Sequence, residues 1–289
     1  MAKRISFCWV ILLFLSCGQG TAKADYGQGS FPPAHELFLP LQADPSEPRF
    51  GVSYGAPISQ HAIAIANIGD YLGLYRWSIL NGKGAVQLNI GGAIFSRFDF
   101  TGSHDLQVID YYGNVPLDIK IGSVSARLMF YHDSSHLGDD YLRNKGLVSE
   151  SHSWEAWRSM LSYQPIKPLR IYAGYSDAFH TKPGWTGPQA VQGGAEVYFN
   201  PEGHGHWYLY WANDVQSWHR DAWNPTWTSQ LGLKSSAEGA QGRGISYFVQ
   251  YMTGPRLEGQ FFPNHESIWL IGLKFDISQH APVPSPTGN

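Results

Sequence analysis

The chain has 289 residues and a formal net charge of −3, and its charged residues (15%) are about as numerous as its aromatic ones (15%). Soluble domains carry about 25% charged residues, so the composition departs from an ordinary soluble surface, and the lack of any basic run argues against nucleic acid as a partner. Both cysteines, Cys8 and Cys17, fall in the first 24 residues, which leaves the rest without a disulfide, a thiolate metal site or a cysteine nucleophile.

Met1-Ala2-Lys3-Arg4 is basic, Ile5 to Leu15 is apolar, and Ala22-Lys23-Ala24 supplies small residues at the positions a signal peptidase reads. This layout predicts a cleaved secretory signal over 1–24. The apolar run is shorter than the roughly 20 residues of a spanning helix. Phe14-Leu15-Ser16-Cys17 offers a second reading, lipid attachment at Cys17, with Phe where Leu is usual. Residues 25–47, rich in Pro, Gly and Ala, are expected to form an irregular periplasmic lead.

From residue 48 onward apolar residues fall at alternate positions, the mark of strands with two different faces. Phe50, Val52 and Tyr54 alternate with Gly51 and Ser53; Val124, Ala126, Leu128 and Phe130 with Ser125 and Arg127; Trp269, Ile271, Leu273 and Phe275 with Leu270, Gly272 and Lys274. The pattern predicts about twelve strands, near 48–55, 70–79, 85–100, 105–119, 122–135, 150–164, 168–180, 188–200, 205–217, 226–236, 243–253 and 266–277, with ten as the alternative count. No segment has a helical period. Several segments exceed ten residues, the length of a tilted membrane strand and longer than the strands of a soluble sandwich.

The connections alternate too. Those at one end (81–84, 121–122, 164–167, 201–203, 237–242) are short, and all but two at the other (56–69, 101–104, 137–149, 181–186, 218–225, 254–265) are long. Outer-membrane barrels have short periplasmic turns and longer outside loops, with aromatic girdles at both interfaces. The 11 Trp and 16 Tyr cluster near strand ends. The expected fold is therefore all-β: an antiparallel up-and-down transmembrane β-barrel over 48–277, followed by a polar Pro-rich tail over 278–289. Arg49, Arg76, Arg97, Arg127 and Arg170, with Asp99, Glu196 and Asp276, fall on its lumen face, where polar networks fill a small barrel. Its expected place is the outer membrane of a Gram-negative bacterium, with outer-membrane lipid and the barrel-assembly machinery as partners. A secreted sugar-binding β-protein, its aromatics stacking on sugars, is the soluble alternative.

Four segments carry a resemblance: Ala43-Asp44-Pro45-Ser46-Glu47-Pro48-Arg49-Phe50, Ile68-Gly69-Asp70-Tyr71-Leu72-Gly73-Leu74-Tyr75-Arg76-Trp77, Ser134-Ser135-His136-Leu137-Gly138-Asp139-Asp140 and Asp221-Ala222-Trp223-Asn224-Pro225. Through them the chain resembles an uncharacterised bacterial family, a domain of unknown function, of barrel-like envelope proteins. The resemblance implies a cell-envelope location and no activity. Many barrels end on an aromatic residue, whereas here Phe275 is followed by the polar tail.

One constellation is equipped for chemistry. Period two puts His132, Ser134 and His136 in phase with Val124, Ala126, Leu128 and Phe130, the lipid face. The His132-x-Ser134 pair is similar to one carried on the lipid face by outer-membrane phospholipase A and some lipid A deacylases. There His is the general base and Ser the nucleophile. Those enzymes follow Ser with Asn-Gly, and this chain has Ser135-His136. A base needs a third group to orient it. If the next strand pairs back so that Val124 meets Tyr163 and Phe130 meets Trp157, then Glu155 meets His132 and Ser153 meets Ser134. Asn144 is a second candidate orienter. The sequence thus supports an envelope-structural barrel and, as its alternative, a lipid acyl-ester hydrolase using His132, Ser134 and Glu155. The bland reading is a polar cluster that ties down the start of a loop. No cofactor is expected; Ca²⁺ enters only with the hydrolase, with Asp139-Asp140 as an outer-leaflet candidate. His204-x-His206 has ligand spacing for a strand but lacks an obvious third ligand.

Overall fold

The computed structural model describes residues 33, 36–57, 61–100, 104–148, 150–200 and 204–277. The signal segment 1–24 and the tail 278–289 lie outside the described residues.

Twelve antiparallel strands close into one ring. In chain order they are β1 (Phe50–Pro57), β2 (Ile63–Ile79), β3 (Gly84–Asp99), β4 (Leu106–Ile121), β5 (Val124–Leu137), β6 (His152–Ile166), β7 (Leu169–Lys182), β8 (Gln189–Tyr198), β9 (Trp207–Trp218), β10 (Pro225–Ser235), β11 (Gly244–Pro255) and β12 (His265–Asp276). Each strand pairs with its chain neighbours, and β1 pairs with β12, Phe50 opposite Phe275. Closure satisfies the backbone hydrogen bonds that an edge would leave open. A closed ring also rules out the two-sheet sandwich.

Alternation does the sorting. Leu72, Ile90, Leu128, Trp157, Leu231 and Ile271 point outward and are exposed, while Arg97, Arg127, Arg170, Glu196 and Lys234 point inward and are buried. An apolar wall around a charged interior is the reverse of a soluble core, and only a nonpolar solvent makes it favourable. Aromatics stand at both ends of this wall. Tyr75 and Trp77 (4.7 Å between ring centres) lie toward the short-turn end, and Tyr251 and Trp269 (4.9 Å) toward the long-loop end.

β2 begins at Ile63, well before the expected 70, so the first outside loop is shorter than its expected span of 56–69. Its first residues, Ile63-Ala64-Ile65-Ala66, are apolar on both faces. Ile63 is buried against Met252, Ile268 and Leu270 in the interior, so hydropathy does not alternate there. The expected 137–149 loop contains a short helix, α1 (Asp139–Lys145). Its acidic residues lie in the first turn, its basic ones in the last, and Gly146 (φ +64°) ends it in the left-handed conformation, as a helix terminus favours.

The interior is filled from both ends. Residues 36–47, part of the segment expected as a periplasmic lead, run inside the ring. Leu37, Phe38, Leu39 and Leu41 are fully or nearly buried. The reason is the arginine set of the wall. Arg127 and Arg170 flank the Phe38 ring at 4.9 and 5.1 Å. Arg170 donates to the carbonyls of Leu39 (2.7 Å) and Pro40 (3.1 Å), and Arg158 pairs with Asp44 at 2.7 Å. Cation–π contacts of this kind contribute about 0.5–2 kcal/mol each. The wall charges also pair among themselves: Arg127 grips Asp118 through two bonds of 2.7 and 2.8 Å. A cavity of about 90 Å³ remains between this plug and the β11–β12 wall, lined by Glu47, Arg49, Gln230, Gln250 and Lys274.

At the other end the segment between β11 and β12 folds inward as a lid. Gly259 N–H donates to Asp110 (3.0 Å), and the Gln260 side chain donates to the carbonyls of Ser135 and Glu150 (both 2.8 Å). Glu258 pairs with Arg97 and Arg256, each at 3.2 Å. Burial opposes charge on Glu258, but Arg256 and Arg97 outweigh it and hold the carboxyl at about 2. Beside the lid, Arg220 is enclosed by Trp185 (3.9 Å), Phe262 (4.1 Å) and Trp218 (4.7 Å). Burial brings its guanidinium down to about 10.

Candidate functional site

The chemistry-bearing side chains of the outer wall gather on β5, β6 and β7 near the long-loop end. β5 and β6 pair in the register expected from sequence: Val124 opposite Tyr163, Phe130 opposite Trp157, His132 opposite Glu155 and Ser134 opposite Ser153. Because strand side chains alternate, His132, Ser134 and His136 share the outward face. Tyr131, Asp133 and Ser135 are buried inside.

Two dyads result. His132 Nδ1 donates to Glu155 Oε1 at 2.8 Å, which in a neutral imidazole leaves Nε2 as the acceptor. Ser134 Oγ lies 2.8 Å from Nε2 of His136, not from His132. Ser134 has an imidazole two residues away on either side along this face, and its rotamer in the structure turns Oγ to His136. Among the described residues no carboxylate bonds His136. The other Glu155 oxygen, Oε2, accepts from His180 Nδ1 on β7. The cluster is open on its outer side: the side chains of His132, His180 and Glu155 are 47%, 68% and 24% exposed.

His136 and His180 are additions to the expected site. His136 was legible by phase alone. His180 was not, because a bulge in the β6–β7 pairing shifts the register between Glu155 and Ala156. Without it Phe179 would face Glu155; with it both Phe179 and His180 are exposed. Asn144 does not orient His132, since its amide donates to Asp105 at 2.6 Å.

The remaining candidates separate from this cluster. Asp140 is engaged by Arg143 within α1. His204 pairs through its backbone with Trp207 in the β8–β9 turn. Among the described residues no three His, Cys, Asp or Glu side chains converge to hold a metal ion. Of the expected lumen residues, Arg49, Arg76, Arg97, Arg127, Arg170, Glu196 and Asp276 are buried in the interior, while Asp99, at the end of β3, is half-buried.

The fold is similar to that of outer membrane phospholipase A from Escherichia coli, with a TM-score of 0.54, 12% sequence identity, and 80% of this chain and 94% of that chain covered. It is equally similar to the Salmonella typhi outer membrane phospholipase dimer with bound calcium, with a TM-score of 0.54, 11% identity, and 80% and 92% covered. At these identities the likeness is one of fold: the chain has the closed antiparallel fold of outer-membrane β-barrels. No curated protein matches it. A family model matches residues 16–277, nearly the whole length of the barrel and its lead, and the chain belongs to that family, described as protein of unknown function (DUF1207).

Proposed function

We propose that this protein is an outer-membrane lipid acyl-ester hydrolase with a closed lumen and its site on the lipid-facing wall. Ser134 is the nucleophile, His132 the general base and Glu155 the group that orients the base. The observation that carries this reading is the His132–Glu155 hydrogen bond of 2.8 Å on the same outward face as Ser134. Carboxylate, imidazole and hydroxyl in that order are the parts of an activated serine.

In this mechanism Ser134 turns from His136 to His132, the imidazole whose second nitrogen a carboxylate holds. Oγ attacks the ester carbonyl carbon and gives its proton to His132 Nε2. The C–O bond to the lipid alcohol breaks, and that proton passes to the leaving oxygen. Water then attacks the acyl-serine, giving one proton to His132 and its oxygen to the acyl carbon. Fatty acid leaves, and the proton returns to Ser134. Glu155 stabilises the imidazolium formed in each half.

Two supports come from outside the triad. The phospholipase relatives named above share the barrel fold. Both ends of the lumen are filled, which leaves the outer wall as the surface where a substrate has access. The chain is read as exported through a signal cleaved after Ala24 into a Gram-negative envelope, with the long loops outside. The test is fatty-acid release from lipid in detergent, with and without Ca²⁺, by the intact protein and by Ser134→Ala. Release abolished by Ser134→Ala supports the reading, and release unaffected by it removes the mechanism. An envelope-structural role is the second reading, favoured by the filling of the lumen from both ends.

A further inference from the structure

The same wall also carries an exposed cation, Lys182. Ser134 on β5 pairs with Ser153 on β6, and Ser153 pairs with Lys182 on β7, so the three stand side by side in one row. Lys182 is exposed, and among the described residues no carboxylate pairs with it. His180, two residues earlier and also exposed, spends Nδ1 on Glu155, and among the described residues nothing bonds its Nε2. Neighbouring strands are about 4.8 Å apart, so the Lys182 backbone is about 10 Å from that of Ser134, and a flexible four-carbon stem covers much of that gap.

An exposed lysine at a membrane boundary, one stem-length from a serine, fits an anion joined to an ester. The wall below offers room for the chain. Gly113 lies opposite His132, with nothing within 4 Å of where its Cβ would stand. Tyr111 lies opposite Ser134 and is exposed.

Building on the hydrolase reading, we propose that the site takes an acylated lipid bearing a phosphate, with the phosphate at Lys182 and the ester at Ser134. Phosphate is the shared chemistry of glycerophospholipids and of lipid A, and neutral acylglycerols lack it. A lysine holds it as a point charge.

The test uses Ser134→Ala protein in detergent micelles, so that binding is read without turnover. Retention of three probes is compared by native mass spectrometry: dioleoyl phosphatidylglycerol, hexa-acyl lipid A bisphosphate and dioleoylglycerol. Preference for either phosphate lipid over dioleoylglycerol is expected, and the better retained of the two identifies the source. Lys182→Gln in the same background should lower that preference by about tenfold, the scale of one charge-assisted contact, and Lys182→Arg should restore most of it. Equal retention of all three probes, or a preference indifferent to Lys182→Gln, overturns the proposal. Failure of the hydrolase reading looks different: the phosphate preference persists while the Ser134 protein releases no fatty acid.

Discussion

His132 Nδ1 stands 2.8 Å from Glu155 Oε1, two side chains 23 positions apart that meet because β5 and β6 pair back across the loop between them. The carboxylate fixes the tautomer of the imidazole and leaves Nε2 as its free acceptor. Its second oxygen is held by His180, so neither end of the carboxylate is left to rotate.

If this arrangement activates Ser134, the ranking of variants follows. Ser134→Ala and His132→Ala should each lower turnover by about a thousandfold or more, as removing a nucleophile or base does elsewhere. Glu155→Gln should cost less, because the residue orients and forms no bond to substrate. The measurement is fatty-acid release under saturating lipid. His136→Ala proving worse than His132→Ala would move the base to His136, the imidazole that Ser134 contacts in this structure.

The filled lumen predicts an electrically silent barrel. Purified protein in a planar bilayer should show no steady conductance at neutral pH. Deleting residues 36–47 removes the segment held by Arg127, Arg158 and Arg170 and should produce discrete openings. Gel migration of the unheated variant checks that the ring is still closed. Steady conductance in the intact protein would contradict the plug.

The lid should respond to acid through Glu258. Its carboxyl is held at about 2, below the ordinary value of about 4.3. A lowered folded value means the stabilisation is complete above the ordinary value and is lost as pH falls toward 2. The mature chain is read as cysteine-free, so a fluorophore on Leu257→Cys reports the lid alone. The part of its signal that belongs to Glu258 should appear only below about pH 4. Glu258→Gln should lose that part; an identical titration in the variant would assign it to other groups.

Export and membrane residence make a separate prediction. Mass spectrometry of envelope protein should find Asp25 at the N-terminus, since Ala22-Lys23-Ala24 precedes it. The unheated protein should migrate differently from the boiled one, because a closed ring of strands resists detergent. An intact Met1 or lipid on Cys17 would refute the cleavage, and recovery in the soluble fraction would refute residence.

Much of this architecture was legible in the chain itself because a strand's side chains alternate with period two. Wherever one face is apolar and the other charged, as along Val124 to Phe130, composition alone assigns lipid face and lumen face. The β5–β6 register followed from matching apolar partners on the two strands despite the long loop between them, and it brought Glu155 to His132. The same logic fails at Ile63 to Ala66, where both faces are apolar. It also fails at His180, where one bulged residue moves a histidine onto the outer wall.

What the sequence determined by itself was therefore the strand ladder: its count, its faces and the pairing of neighbours, all set by local periodicity and turn length. Only the closed ring decided the rest. The path of residues 36–47 depends on Arg127, Arg158 and Arg170, which face one interior from the consecutive strands β5, β6 and β7. The choice of His136 as the partner of Ser134 is a matter of one side-chain rotation. An irregular segment carries no period, and a rotamer carries no sequence signal, so both are settled by the packing and electrostatics of the assembled barrel.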